Sequence, residues 1–139
     1  MTARVVLMSS LLVAAVSCGG DGVIDMGTGP LPGGPTLSSL QSSIFTPKCA
    51  VVGCHAAPFP EQGMELSAGL TYVNIVGVKA TELSAFKRVT AGLSADSYLY
   101  MKVAGDPRII GDRMPLGGML TPAEIDAIRA WIDAGAKDD

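Results

Sequence analysis

Three donor side chains sit close together in a chain otherwise poor in such groups. Cys49 and Cys54 are separated by four residues, and His55 follows the second cysteine directly. The stretch Cys49-Ala50-Val51-Val52-Gly53-Cys54-His55 therefore reads C-x4-C-H. Two thiols followed at once by an imidazole suit the covalent attachment of haem c, whose common form is C-x-x-C-H. Each thiol adds to one vinyl group, and the adjacent His is turned onto the iron. The longer spacing is a minority variant in which the two extra residues bulge outward, and Gly53 with small Ala50 would allow such a bulge. On these residues alone other chemistries stay open. Cys49 and Cys54 could pair as a disulfide in an oxidising compartment. A zinc site built on the same three residues lacks a clear fourth ligand. A redox-active dithiol would prefer two intervening residues and a strand-to-helix setting.

His55 is the only histidine among 139 residues. That excludes any site needing two imidazoles. A haem iron held by His on one side then takes Met as the expected second donor, a pairing that raises the reduction potential. Met114 lies about sixty residues after the motif, in a loop before the final helical pattern, and Pro115 follows it. Proline withholds a backbone donor and stiffens the loop, which suits presenting a thioether inward. Met119 is the first competitor, whereas Met64 and Met101 read as packing residues. The ring N–H of a ligating His usually donates to a carbonyl, and the nearest candidates in sequence are the carbonyls of Pro58-Phe59-Pro60.

The elements that must position these residues occupy the second part of the chain. Residues 1–17 read as an export signal, with Arg4 as the positive end and Val5 to Val16 as an apolar stretch too short to span a bilayer. Ala15-Val16-Ser17-Cys18 resembles a lipobox, with cleavage before Cys18 and acylation of that residue. Several acyl chains on one Cys would hold the protein at a membrane. Gly19 after the Cys favours an outer-membrane destination on the periplasmic side. Gly19 to Thr36 holds ten Gly or Pro among eighteen residues and reads as an extended tether, so residues 18–36 form the lipidated Cys and linker. Residues 37–139 remain as one domain. A core of that size is marginal without help from a disulfide, a metal or a prosthetic group. The full chain carries ten Lys plus Arg against thirteen acids, a formal −3, and Arg4 leaves with the signal. No basic face is implied, so no nucleic-acid partner is expected.

Within the domain, apolar residues at 37, 40, 44 and 45 predict a short helix ended by Pro47. Ser67 predicts an N-cap for a helix through Leu70, Tyr72, Val73 and Val76. Residues 77–93 fit strand or loop equally. Ser94 predicts the next N-cap, with residues 97–101 helical and Gly105 as the stop, followed by loop to Gly118. Thr121-Pro122-Ala123-Glu124 is a capping box with Pro at the first helical position. Ile125, Ile128, Trp131 and Ile132 then share one helical face, Asp126 and Asp133 face solvent, and Gly135 terminates. The expectation is a mostly α domain of about four short helices with long loops.

The order of these features carries a family resemblance. Phe45 stands four residues before Cys49, then come C-x4-C-H, a Gly-rich middle, Ser97-Tyr98-Leu99-Tyr100-x-Lys102, Arg113-Met114-Pro115, and a final helix running Leu120-Thr121-Pro122-Ala123-Glu124-Ile125 to Trp131-Ile132-x-x-Gly135-Ala136. This resembles the small c-type cytochrome domains of bacterial lipoproteins, close to the class I cytochrome c fold, over roughly residues 38–136. The resemblance implies a domain wrapped round one covalent haem c. Cys49 and Cys54 would be the thioether attachments, His55 the proximal ligand and Met114 the distal one, with Phe45 and Trp131 meeting where the first and last helices cross. The chain departs from the family in its Cys spacing, in Pro47, and in Gln41 where such cytochromes often carry Gly.

Two functions from different classes follow. One is electron transfer with redox partner proteins by a membrane-tethered cytochrome. It needs no general acid or base and no small-molecule substrate, and no Ser-His-Asp set or convincing carboxylate pair is present, so no enzyme is expected. The other is a haem-free lipoprotein, a binding or structural module stapled by a Cys49–Cys54 disulfide.

Overall fold

A computed structural model describes residues 34–139. The export segment, Cys18 and the linker as far as Gly33 lie outside the described residues. Four helices with long connecting loops make up a small, mostly helical domain, as the apolar periodicities predict.

Helix α1 starts at Leu37 because Thr36 caps it. The Thr36 hydroxyl accepts from the Ser39 amide, and the Ser39 side chain accepts from the Thr36 amide. Thr36, placed at the end of the linker from sequence, thus belongs structurally to the helix. The helix does not stop before Pro47. It runs as an α-turn over Leu37–Leu40, a wide π-turn over Gln41–Phe45 and a last α-turn over Thr46–Lys48. In a regular helix the proline ring would press on the carbonyl four residues back. Here the Thr46 amide reaches five residues back to Gln41, and the widened turn accommodates the proline instead of ending the helix.

Helix α2 is shorter than expected, Thr71–Ile75. The Ser67 carbonyl, not its side chain, opens it by accepting from the Leu70 and Thr71 amides. Its inward face is Thr71 and Ile75, while Leu70 and Val73 are exposed. Residues 77–93 form loop with isolated bridges, Val76 to Val89 and Lys79 to Lys87, rather than a strand. Ser94–Asp96 forms a separate 3-10 turn, and Ser97 precedes helix α3, Tyr98–Ala104. Gly105 ends α3 in the left-handed region at φ 77°, as its position suggested. Helix α4, Pro122–Asp133, has the expected capping box between Thr121 and Glu124. Gly135 follows it at φ 105°.

One apolar core gathers Leu40, Ile44 and Phe45 of α1, Ile75 of α2, Leu99 and Val103 of α3, and Ile128, Trp131 and Ile132 of α4. Phe45 and Trp131 share this core, and α1 packs against α4. Gln41 ties the first helix to the middle of the chain. Its amide donates to the Leu66 carbonyl at 2.9 Å, and its side-chain oxygen accepts from Thr71 at 2.6 Å. A glycine at 41 would leave both contacts unmade.

Candidate functional site

The segment after α1 is wound into a tight loop by its own backbone. The Cys49 and Ala50 amides both donate to the Phe45 carbonyl, the Cys54 amide to Val51, and the His55 amide back to Cys49 at 3.1 Å. Gly53 sits at φ 84°, a conformation that side chains rarely adopt, with open space around the position of a Cβ. Its role is thus conformational freedom rather than room. Val51 and Val52, the residues within the longer spacing, are 46% and 75% exposed. The additional length loops outward while both cysteines and His55 stay on one cavity.

That cavity measures about 410 Å³, within the range of ligand pockets. Cys49, Cys54, His55 and Met114 all line it, together with Phe45, Leu66, Leu99, Val103 and Ile128 from the apolar core. A larger hollow of about 610 Å³ lies between α1, residues 68–72 and Asp138–Asp139, but no thiol, imidazole or thioether lines it. Size alone does not locate the chemistry.

His55 is fixed through its Nδ1, which lies 3.2 Å from the Met64 carbonyl oxygen. The ring nitrogen must be the donor there, because a carbonyl can only accept. This leaves Nε2 with a free lone pair on a ring that lines the cavity. The partner expected from sequence, a carbonyl of Pro58-Phe59-Pro60, is not the one used, and Phe59 is largely exposed. The chain instead turns back through a 3-10 turn at Glu61–Gly63. The Glu61 amide bonds to the Cys54 carbonyl and the Leu66 amide to the His55 carbonyl, drawing Met64 up behind the ring. Burial is the main cause that holds the imidazole below its usual pKa of 6.5, against the pull of its hydrogen bond to Met64. The neutral ring, the form that binds a metal, is therefore favoured.

Met114 reaches the cavity from the loop after α3. Helix α3 leaves its last carbonyls free, and the loop satisfies them. The Met114 amide donates to Lys102 at 3.0 Å and the Arg113 Nε to Val103 at 2.8 Å. Met119 is placed elsewhere: it is 71% exposed and its sulfur accepts from Arg113. Met101 is buried with Ala80 and Tyr98. Met64 lines the cavity as well as packing on the core. Its carbonyl is the partner of His55 Nδ1.

Among the described residues, Cys49 and Cys54 are both free thiols. Burial pushes the Cys49 thiol up to about 11, which keeps it protonated at neutral pH and unsuited to thiolate exchange. Among the described residues no group of three His, Cys, Asp or Glu side chains is arranged to hold a metal ion. Two ion pairs stand at the cavity wall: Lys48 with Glu124 at 2.5 Å, and Lys102 with Glu82 at 2.7 Å. Glu124 thus serves both the cap of α4 and the residue next to Cys49.

Cys49, Cys54, His55 and Met114 are donors on this cavity that could hold a metal-bearing group. Sequence reasoning found the thiols, His55 and Met114. It missed the Met64 carbonyl, which no local pattern marks.

Comparison of the chain with protein-family models, with curated proteins and with solved structures finds no match.

Proposed function

We propose that this protein is a mono-haem c-type cytochrome that transfers electrons, tethered to the periplasmic face of a bacterial membrane, the outer membrane by preference, through lipid on Cys18. The observation that supports this reading most is the meeting of Cys49, Cys54, His55 and Met114 on one largely apolar cavity. They come from two segments about sixty residues apart in the sequence.

Cys49 and Cys54 would hold haem c as thioethers, and His55 and Met114 would hold its iron. When bound, that group supplies a one-electron couple. The chain's own residues do the rest. His55 donates Nδ1–H to Met64, which fixes the tautomer and leaves Nε2 unprotonated. The Lys102 carbonyl holds the Met114 backbone beside the cavity. Phe45, Leu66, Leu99, Val103 and Ile128 keep water from the interior and lower the local dielectric. With His55 and Met114 holding such a group, its partners would be redox proteins that receive or deliver one electron.

The test is expression with the export segment in a host able to attach haem c, followed by an absorption spectrum and an intact mass. A Soret band with the mass of one covalent haem is expected. A haem-free protein whose mass is two protons lower, showing a Cys49–Cys54 disulfide, would support the stapled module instead.

A further inference from the structure

Arg88 is a buried cation on the wall of the same cavity, 8% exposed, with no carboxylate partner among the described residues. Its hydrogen bonds say what it does. One terminal nitrogen donates to the carbonyls of Asn74 at 2.8 Å and Gly63 at 3.3 Å. The other donates to the Gln62 carbonyl at 2.6 Å and the Thr81 hydroxyl at 3.4 Å. Four of the five N–H groups of a guanidinium are thereby committed to the protein. An anion in the cavity would find only Nε–H free, so anion binding is not the role of this fork.

Two of the carbonyls it gathers belong to an unfavourable piece of backbone. Gln62 is left-handed at φ 54°, a region that costs free energy for a residue other than Gly. Gly63 follows at φ 60°. Two consecutive left-handed residues fan their carbonyls to one side, and the Arg88 fork closes on them. The next residue is Met64, whose carbonyl receives the His55 Nδ1–H. Thr81 adds a second hold by donating to Gln62 at 3.1 Å.

We propose that Arg88 is a positioning residue for His55: it clamps the Gln62–Gly63 turn, and the clamped turn fixes the Met64 carbonyl that orients the imidazole. The structural part stands on these contacts alone. Its meaning for an iron ligand rests on the cytochrome reading.

The chain has a single histidine, so the side chain gives one unambiguous signal in the full chain labelled with 15N-histidine. The measurement is the tautomer and the solvent exchange of the Nδ1–H, with intact mass taken on the same sample. Arg88→Lys keeps the charge but removes the fork. Gly63→Ala leaves Arg88 in place and strains the turn, since open space surrounds that position and only its φ of +60° resists. Ile132→Val loosens the core away from the turn. Arg88→Lys should speed exchange on the order of tenfold, the effect of losing one hydrogen bond to a charged group, and Gly63→Ala should speed it too, through strain in the turn. Ile132→Val should leave it close to the parent. In haem-loaded protein Arg88→Lys should also raise the reduction potential, because a weaker Nδ1–H bond makes His55 a less basic ligand. Unchanged exchange in both turn variants overturns the proposal, and so does equal acceleration in Ile132→Val. If Arg88→Lys fails to fold, Gly63→Ala decides alone. A sample whose mass shows no haem refutes the cytochrome reading and leaves the exchange comparison intact.

Discussion

Met114 and Met119 lie five residues apart in one loop, yet only Met114 lines the cavity, whereas the Met119 sulfur is on the surface beside Arg113. Replacing Met114 by Ala should abolish the weak sulfur-to-iron absorption at the red edge of the spectrum and lower the potential, while Met119→Ala should alter neither. A red-edge band lost only in Met119→Ala would reverse the assignment. His55 gives a pH dependence whose sign is fixed. Its pKa is lower in the folded chain than in the unfolded one, so the unfolded chain binds this proton first. The stability tied to the neutral ring is complete above 6.5 and is lost as the pH falls through the depressed folded value. Denaturation of a haem-free Cys49→Ser, Cys54→Ser chain should show stability falling just below pH 6.5, above the carboxylate range, and His55→Asn should remove that step. The donors themselves were legible because thiol, imidazole and thioether announce their chemistry by type and spacing. The Met64 acceptor was not, because a backbone carbonyl has no residue signature and its place depends on a left-handed Gln62 held from Arg88, twenty-six residues away.

At the scale of elements, caps were legible and interruptions were not. Thr121, Pro122 and Glu124 satisfy the first turn of α4 by local bonds, so sequence alone locates its start. Pro47 misled because its local preference to end a helix is met by a π-turn that depends on the whole of α1. The helix expected to run from Leu70 through Val76 is shorter: α2 covers Thr71–Ile75 and presents Thr71 and Ile75 to the core, with Val73 exposed. Gly105 tests the loop that carries Met114. It is left-handed, and a Cβ there would come within 3.0 Å of Arg113 Cδ, whose guanidinium anchors that loop to Val103. Gly105→Ala should destabilise the domain by about 1 kcal/mol or more. Chemical denaturation measures this, and the red-edge absorption should weaken with it. An unchanged midpoint would mean that the turn adapts without disturbing the Met114 loop.

For the whole molecule, a chain of 139 residues with only seven aromatic side chains buries a modest core. The cavity of about 410 Å³ opens into the centre of that core, between α1, α3 and α4. A bound apolar group would complete it, and anything that binds only the folded chain stabilises it. Cys49→Ser, Cys54→Ser protein should therefore melt at a lower temperature than the parent isolated from the same haem-attaching host. Equal melting temperatures would argue that nothing occupies the cavity in the parent. The mostly helical architecture followed from apolar periodicity. The joining of residues 49–55 with residue 114 did not, since it is made by the packing of α3 and α4 and by carbonyls at the end of α3. The most direct measurement remains the absorption spectrum with the intact mass of the exported chain. One covalent haem, a Soret band and a red-edge sulfur band are predicted. A mass that fits the polypeptide alone, with no Soret band from a host that attaches haem to a control cytochrome, would contradict the assignment of Cys49, Cys54, His55 and Met114 as a haem site.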